Sequence, residues 1–527
     1  MIQRTDKSYS FILLLGIVFY LPFLGTIHLF DWDEINFAES AREMIVTGNY
    51  TMVQINFQPF WEKPPLFFWF QVLSMKTFGI NEFAARFPNA IVGIVTLLVF
   101  YSLGKKLHGA SFGWLWVLGY LGSLTPFLYF KTGIIDPTFN LFIFLSIWFT
   151  ANYFIEKQIS KVILGGFFMG LAVLTKGPVA LLIWALVVGI YWLTAQAGGN
   201  RNYVSFITHC SLFIIVALLT SSIWFGLEFY KHGTWFFEQF IQYQIRLFST
   251  PDAGHEQPFY YHFLVVLLGC FPISVLAIKY LFRKNFQDKS PFFILMFILF
   301  WVVMILFSIV RTKIVHYSSL AWFPVSYFGA YYLYENSNKW HPVTLWSFRV
   351  VGVLLALVLI AIPFIGMNTE FISPYIKDVF AVANLKASVN WQGWDWLIGV
   401  VYLGIIWTMW KSPRRLLIGT AVCIWLYSAI VIPNIEGYTQ RAAISFYQSL
   451  KGQNVDVETI GFKSYAQLFY FEKMPQKAVN ADSLLNAEYL SRPVYFVTKN
   501  DRAEECLKNK KLKLIKAENG FLFFYRK

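Results

Sequence analysis

The stretch PFFILMFILFWVVMILFSI, Pro291 to Ile309, contains no charged side chain and a single hydroxyl. A helix apolar on every face is buried either in a large core or in lipid. This run has the length of a bilayer crossing, which takes ~20 mostly apolar residues. Arg283, Lys284 and Lys289 precede it, and Arg311 and Lys313 follow it. The same alternation of apolar run and short polar piece recurs in both directions along the chain. About thirteen runs can be drawn, at 10–30, 83–104, 111–130, 137–155, 162–175, 177–195, 204–225, 259–282, 291–309, 314–334, 346–365, 395–410 and 415–432.

Composition supports the same class. The 527 residues are 57% hydrophobic and only 14% charged, with a mean hydropathy of +0.53. A soluble chain carries about a quarter charged residues, so one large soluble core is excluded. Aromatics make up 20%, which suits lipid-facing helices with interfacial belts. The net charge of +14 does not point to nucleic acid, because the basic residues lie in short pieces between apolar runs rather than on one soluble face. Cys210, Cys270 and Cys423 fall in or beside apolar runs and Cys506 stands apart, with no C-x-x-C spacing. The run from Phe11 to Phe30 follows Arg4 and Lys7 without a small-x-small cleavage pattern and reads as an uncleaved first span.

Orientation follows from the short loops. With the N-terminus inside, the cytoplasmic connections carry Lys105-Lys106, Lys157 and Lys161, Arg201, Arg283-Lys284 with Lys289, Lys339, and Lys411 with Arg414-Arg415. That is the positive-inside pattern. The longer connections, including 31–79, 226–258 and Gly366 to Asp395, then fall outside, as does the tail. The chain divides into a transmembrane unit, 1–432, and an outer-face unit, 433–527. In the tail, Val457–Phe462 and Val494–Thr498 read as strands and Asp501–Asn509 as a helix. Leu512–Lys516 and Phe521–Tyr525 read as a hairpin around Asn519-Gly520. The expected fold is a polytopic α-helical membrane protein with a small C-terminal α/β unit.

The outer connections hold the chemistry. Asp31-Trp32-Asp33-Glu34 opens the first, and Ile35 to Ile45 follows as an amphipathic helix suited to lying flat at the interface. Asp33 reads either as an N-cap or as a base. Phe60-Trp61-Glu62-Lys63-Pro64-Pro65 is either a rigid solvated turn or an ionisable pair pressed against the bilayer, where such groups are functional candidates. Asp136 precedes a span, where capping is again the simple reading. Lys176 sits in a tight Thr175-Lys176-Gly177-Pro178 turn, where snorkelling is the simple reading. RTKIVHY, Arg311 to Tyr317, gathers Arg311, Lys313, His316 and Tyr317 at the start of a span. Arg246 and then His255 lie on the long loop, and a lone loop histidine is ordinarily solvated. All these residues map to one membrane face under a topology drawn from other residues. Basic groups with aromatics suit an anionic lipid headgroup, and adjacent carboxylates suit a hydroxyl or amine that must be deprotonated.

The stretches WDEINFAESAREM (Trp32–Met44), FWEKPPL (Phe60–Leu66), NEFAARFPNA (Asn81–Ala90), TGIIDPTF (Thr132–Phe139), TKGPVAL (Thr175–Leu181) and HEQPFYY (His255–Tyr261) resemble the bacterial aminoarabinose transferases that modify lipid A. More broadly, the chain resembles the protein O-mannosyltransferase-like enzymes of the type C glycosyltransferases. The resemblance implies a thirteen-span fold, a polyprenyl-phosphate sugar donor and no nucleotide cofactor. It implies a place in the bacterial inner membrane with a periplasmic active site. Asp33 would be the catalytic carboxylate and Asp136 a second carboxylate of the site. Lys63, Arg246, Lys176 and Lys313 would hold the donor phosphate, with Tyr317 beside it. Glu62 and His255 match zinc-binding positions, though one Glu and one His are a minimal set for a metal. Single displacement with inversion is the implied mechanism. The resemblance is weak after Gly366 and leaves lipid A, a protein hydroxyl or another glycan as the acceptor. A polyprenyl-linked sugar transporter or flippase is the alternative class, but transporters concentrate their ionisable positions near the midplane, whereas these lie at one face.

Overall fold

The computed structural model describes residues 6–195, 203–249, 257–286, 289–336, 339–475 and 481–527. It is mostly helical. Among the described residues, seven helices are long and apolar enough to cross a membrane: Glu82–His108, Asp136–Glu156, Ile159–Lys176, Tyr203–His232, Pro291–Ile309, Pro342–Met367 and Pro413–Gly437. Four shorter apolar helices accompany them, Lys7–Tyr20, Ala110–Leu121, Val179–Thr194 and Leu397–Thr408. A helix of the length of Asp136–Glu156 measures ~31 Å at 1.5 Å per residue, which matches a hydrocarbon core of ~30 Å.

Several apolar runs are broken rather than continuous. The first helix ends at Tyr20, so the expected unbroken span over 10–30 is too long. Pro22 has no N–H to continue the ladder, and its ring opposes the carbonyl one turn back. The 111–130 run divides into Ala110–Leu121 and Leu124–Tyr129. The 259–282 run divides at Pro272 into Tyr261–Gly269 and Ile273–Leu281. The run expected to start at 314 opens as a 3-10 turn, Val315–Ala321, before the helix Trp322–Asn336. The Lys176-Gly177-Pro178 separation is sharp. Gly177 caps the preceding helix with φ 97°, and a Cβ there would lie 2.5 Å from the Phe240 ring.

The C-terminal unit is a four-stranded sheet in the order Asp456–Ile460, Val494–Lys499, Phe521–Arg526, Lys513–Glu518. The first pair is parallel and the others antiparallel. Asn519 and Gly520 both take positive φ, 47° and 80°, the conformation that a two-residue hairpin loop requires. The segment expected as one helix over 501–509 is a 3-10 turn, Asn500–Arg502, followed by Glu504–Lys508.

This unit shares a core with the first outer loop. Ile35, Phe37, Met44, Phe67 and Phe68 pack in one cluster with Ile444, Tyr447, Val457, Phe469, Val497 and Phe523. The amphipathic helix, Asp33–Thr47, is therefore enclosed rather than lying flat with a polar face in water. Glu39, Arg42 and Glu43 are all buried. Arg42 makes a bidentate pair with Glu39 at 2.7 and 2.6 Å and donates to the Lys473 carbonyl at 2.7 Å. The charged stripe reads as solvent-facing from the sequence because its partner segment lies 431 residues away.

Candidate active site

Asp33 and Asp136 each occupy the first turn of a helix, but neither caps it. Trp32 and Ile135 stand in the cap positions, with no side-chain cap bond at either. Both carboxylates thus lie near the positive end of a helix without being engaged in capping. The Asp33 side chain is 33% exposed and Asp136 only 5%.

A buried clasp sets their spacing. Glu34 Oε1 accepts from Arg86 Nε at 2.7 Å and from the Gly133 backbone N–H at 2.7 Å. Its Oε2 accepts from Arg86 Nη2 at 2.8 Å and from the Phe30 N–H at 2.9 Å. Arg86 also donates to the carbonyls of Leu24, Ile27 and His28, holding the irregular segment that leads to Asp33. Gly133 is closely packed: a Cβ there would crowd the Ala85 carbonyl at 3.0 Å and Glu34 Cγ at 3.3 Å. Asn89 fastens the same loop by donating to Thr132 and Ile134. The residue beside Asp33 is in this way bonded to the loop that ends at Asp136.

Around these carboxylates the structure gathers Lys63, Lys176, His316 and Tyr317. Lys176 Nζ is 2.6 Å from Asp136 Oδ1 and 5.2 Å from the Tyr317 ring centre, so it is paired rather than snorkelling. His316 Nε2 lies 3.4 Å from Asp33 Oδ2. Lys63 is half-buried. Loss of water pulls its ammonium below the usual lysine range and the Lys176 charge adds to this, while Glu62, Asp33 and Asp136 oppose it. Lys63 Nζ is 5.1 Å and the Arg246 guanidinium 5.2 Å from the same Tyr243 ring. Tyr243 and Arg246 are carried by the helix Trp235–Ser249. Phe236 and Phe240 on that helix pack with Leu66, Leu174 and Trp224, anchoring it against the segments that bear Lys63 and Lys176.

Other expected site residues are placed differently. Lys313 is buried with its amine donated to the Val310 carbonyl at 2.8 Å. Glu62 faces Lys63 and Tyr465 electrostatically. His255 lies outside the described residues. Among the described residues no group of three or more His, Cys, Asp and Glu side chains forms a metal cluster. His316, Glu34 and Arg86 all fall within motifs visible in the sequence. Spacing alone gave no reason to rank them, because their partners are distant in the chain.

The C-terminal unit reaches the same place. Asp31 lies beside Ser464 and Tyr465, and Lys463 Nζ sits 4.6 Å from the Trp32 ring centre. Asp31 keeps an exposed edge, yet loss of water around it pushes its carboxyl up to about 6, with Asp33 adding to the rise and Lys499 opposing it.

The fold and the relatives that the chain resembles mark a multi-span membrane glycosyltransferase. Residues 62–224 match a family described as dolichyl-phosphate-mannose-protein mannosyltransferase. The chain is similar to the undecaprenyl phosphate-alpha-4-amino-4-deoxy-L-arabinose arabinosyl transferase of Aeromonas hydrophila, 26% identical over 76% of this chain and 74% of that one. A Proteus mirabilis protein of the same description is 25% identical over 81% of this chain and 77% of its own length. The crystal structure of ArnT from Cupriavidus metallidurans bound to undecaprenyl phosphate superposes with a TM-score of 0.78 at 17% identity, over 99% of this chain and 98% of that one. The chain is thus similar to the aminoarabinose transferases over most of its length and, over residues 62–224, to the protein mannosyltransferases.

Proposed function

We propose that this protein transfers a sugar from a polyprenyl-phosphate donor to an acceptor hydroxyl at the non-cytoplasmic face of the bacterial inner membrane. The observation that carries this reading is the convergence of a partly exposed carboxylate, Asp33, with Lys63 and the Asp136–Lys176 pair at one end of the helix bundle. At the opposite end of the Asp136 helix, Glu156 pairs with Lys161 at 3.3 Å, with side chains 28% and 23% exposed. A transporter would place its ionisable groups near the midplane instead. The positive-inside loops support an outward-facing site with a cytoplasmic N-terminus.

Asp33 removes the proton from the acceptor hydroxyl as its oxygen attacks the anomeric carbon from the side opposite the phosphate. The bond from that carbon to the phosphate oxygen breaks, inverting the configuration, and polyprenyl phosphate leaves with the bonding pair. Lys63 and Lys176, with Arg246 at the edge, stabilise the charge that grows on the phosphate, which is the larger contribution in most such sites. Asp136 holds Lys176 in place through their 2.6 Å contact. The acceptor we favour is a lipid A-type glycolipid, as the aminoarabinose-transferring relatives suggest, with a protein hydroxyl or another glycan as the other outcomes. Incubation of the purified protein with defined polyprenyl-phosphate sugars and each acceptor class, read by mass spectrometry, tests this. Sugar-modified acceptor with release of polyprenyl phosphate is expected; donor movement across vesicles without any modified acceptor contradicts it.

A further inference from the structure

His316 stands in contact with Asp33 but has no part in the displacement as derived above. Its Nε2 is 3.4 Å from Asp33 Oδ2, and its side chain is 12% exposed. The backbone of its turn is fixed. Asn140, one helical turn beyond Asp136, donates to the Ser319 hydroxyl at 2.8 Å, and Ser319 in turn donates to the His316 carbonyl at 2.5 Å. The groups facing the imidazole are Asp33, Asp136, Lys176 and Lys63, with His262 behind it on the helix Tyr261–Gly269. Asp136 is already satisfied by Lys176 at 2.6 Å, which leaves Asp33 as the carboxylate that the ring can serve.

A carboxylate that has accepted the acceptor's proton must lose it before the next cycle. The two neighbouring lysines raise the need, because ammonium groups carry no site that accepts a proton. An imidazole is the side chain whose ordinary titration range lets it take that proton and pass it on near neutral pH. We propose that His316 is a positioning and proton-accepting residue that acts through Asp33, orienting its carboxylate before attack and clearing its proton after the sugar has moved. In the forward step the acceptor O–H bond breaks and its proton goes to Asp33 Oδ2. The proton then moves to His316 Nε2, giving an imidazolium, and leaves to water or to the departing phosphate monoester. No oxidant or co-reactant is required. This rests on the reading of Asp33 as the base.

The test is the pH dependence of transfer by full-length protein in detergent or nanodiscs, with His316→Gln and His316→Ala as variants. Proton transfer by a placed side chain contributes about 10²–10⁴-fold to rate, and His316 shares that step with Asp33. We expect kcat to fall about 10–100-fold in both variants while donor affinity stays within about twofold. The acid limb of the kcat profile should move to lower pH, because a neutral imidazole is no longer needed. Added imidazole should restore part of the His316→Ala rate. Near-normal kcat in His316→Gln overturns the proposal, as does a reduced kcat with an unmoved acid limb and no imidazole rescue. Absence of transfer by the unsubstituted protein with every polyprenyl-phosphate sugar would instead overturn the functional reading itself.

Discussion

Lys176 and Asp136 close on each other at 2.6 Å with side chains 16% and 5% exposed, joining the end of one span to the beginning of another. Removing one partner of so enclosed a pair leaves a buried charge, at a cost of about 3–5 kcal/mol. Lys176→Ala is expected to lower the unfolding temperature in detergent and to abolish transfer. The double variant Asp136→Asn with Lys176→Met should recover most of the stability and none of the activity, since the donor phosphate loses a cation. Transfer at the native rate by the double variant would make the pair purely structural.

Glu34 is expected to matter as much as the residues that touch substrate. Its four hydrogen bonds, to Arg86 twice and to the Gly133 and Phe30 amides, span 2.7–2.9 Å. Glu34→Gln removes the charge that Arg86 needs and cannot accept all four bonds. The expected cost is about 3–5 kcal/mol of stability. Displacement of the two carboxylates by ~1 Å should bring about a 10²-fold loss of transfer. Calorimetry and initial rates on the same preparation check both.

The site was partly legible in the sequence, and the limits have physical causes. Helical runs announce themselves by uninterrupted apolar residues, so Pro291–Ile309 was readable directly. Breaks at Pro22 and Pro272 interrupt a helix without interrupting its hydrophobicity, and a count of apolar residues passes over them. Glu39, Arg42 and Glu43 follow the periodicity of a surface helix, yet the sheet unit covers them. Periodicity reports which residues share a face but not what comes to lie on it. Motif chemistry singles out Asp33, Lys63, Asp136 and Lys176 as candidates, whereas the Asp33–His316 and Glu34–Arg86 contacts exist only once distant segments meet.

Lys63 should give donor binding a pH dependence. Its ammonium is held below the ordinary lysine range by loss of water and by Lys176, and only the charged form attracts phosphate. Donor affinity is therefore expected to weaken as pH rises, beginning at lower pH than for an ordinary lysine. Lys63→Arg should remove that limb, and Lys63→Ala should weaken affinity about 10–150-fold, the equivalent of about 1.5–3 kcal/mol for a charged hydrogen bond. Arg246→Ala should cost less, as Arg246 is exposed. Titration of a fluorescent polyprenyl phosphate measures all three.

Asp31 should make stability fall as pH rises. Its carboxyl is shifted up from 3.8 to about 6, so the folded protein holds this proton more tightly than the unfolded chain does. The resulting contribution is full below the unfolded value and is lost as pH climbs through the folded one. In Asp31→Asn the unfolding temperature should lose that part of its decline between pH 4 and pH 6. Unfolding curves in detergent across this window decide the matter.

Asp33 is proposed as the base in sugar transfer from a polyprenyl-phosphate donor. Its most direct test measures donor binding and product formation side by side for the native protein and Asp33→Asn. Donor affinity is expected to stay within about twofold of native and the transfer rate to fall by about 10²–10⁴-fold. Native-rate transfer by Asp33→Asn would contradict it.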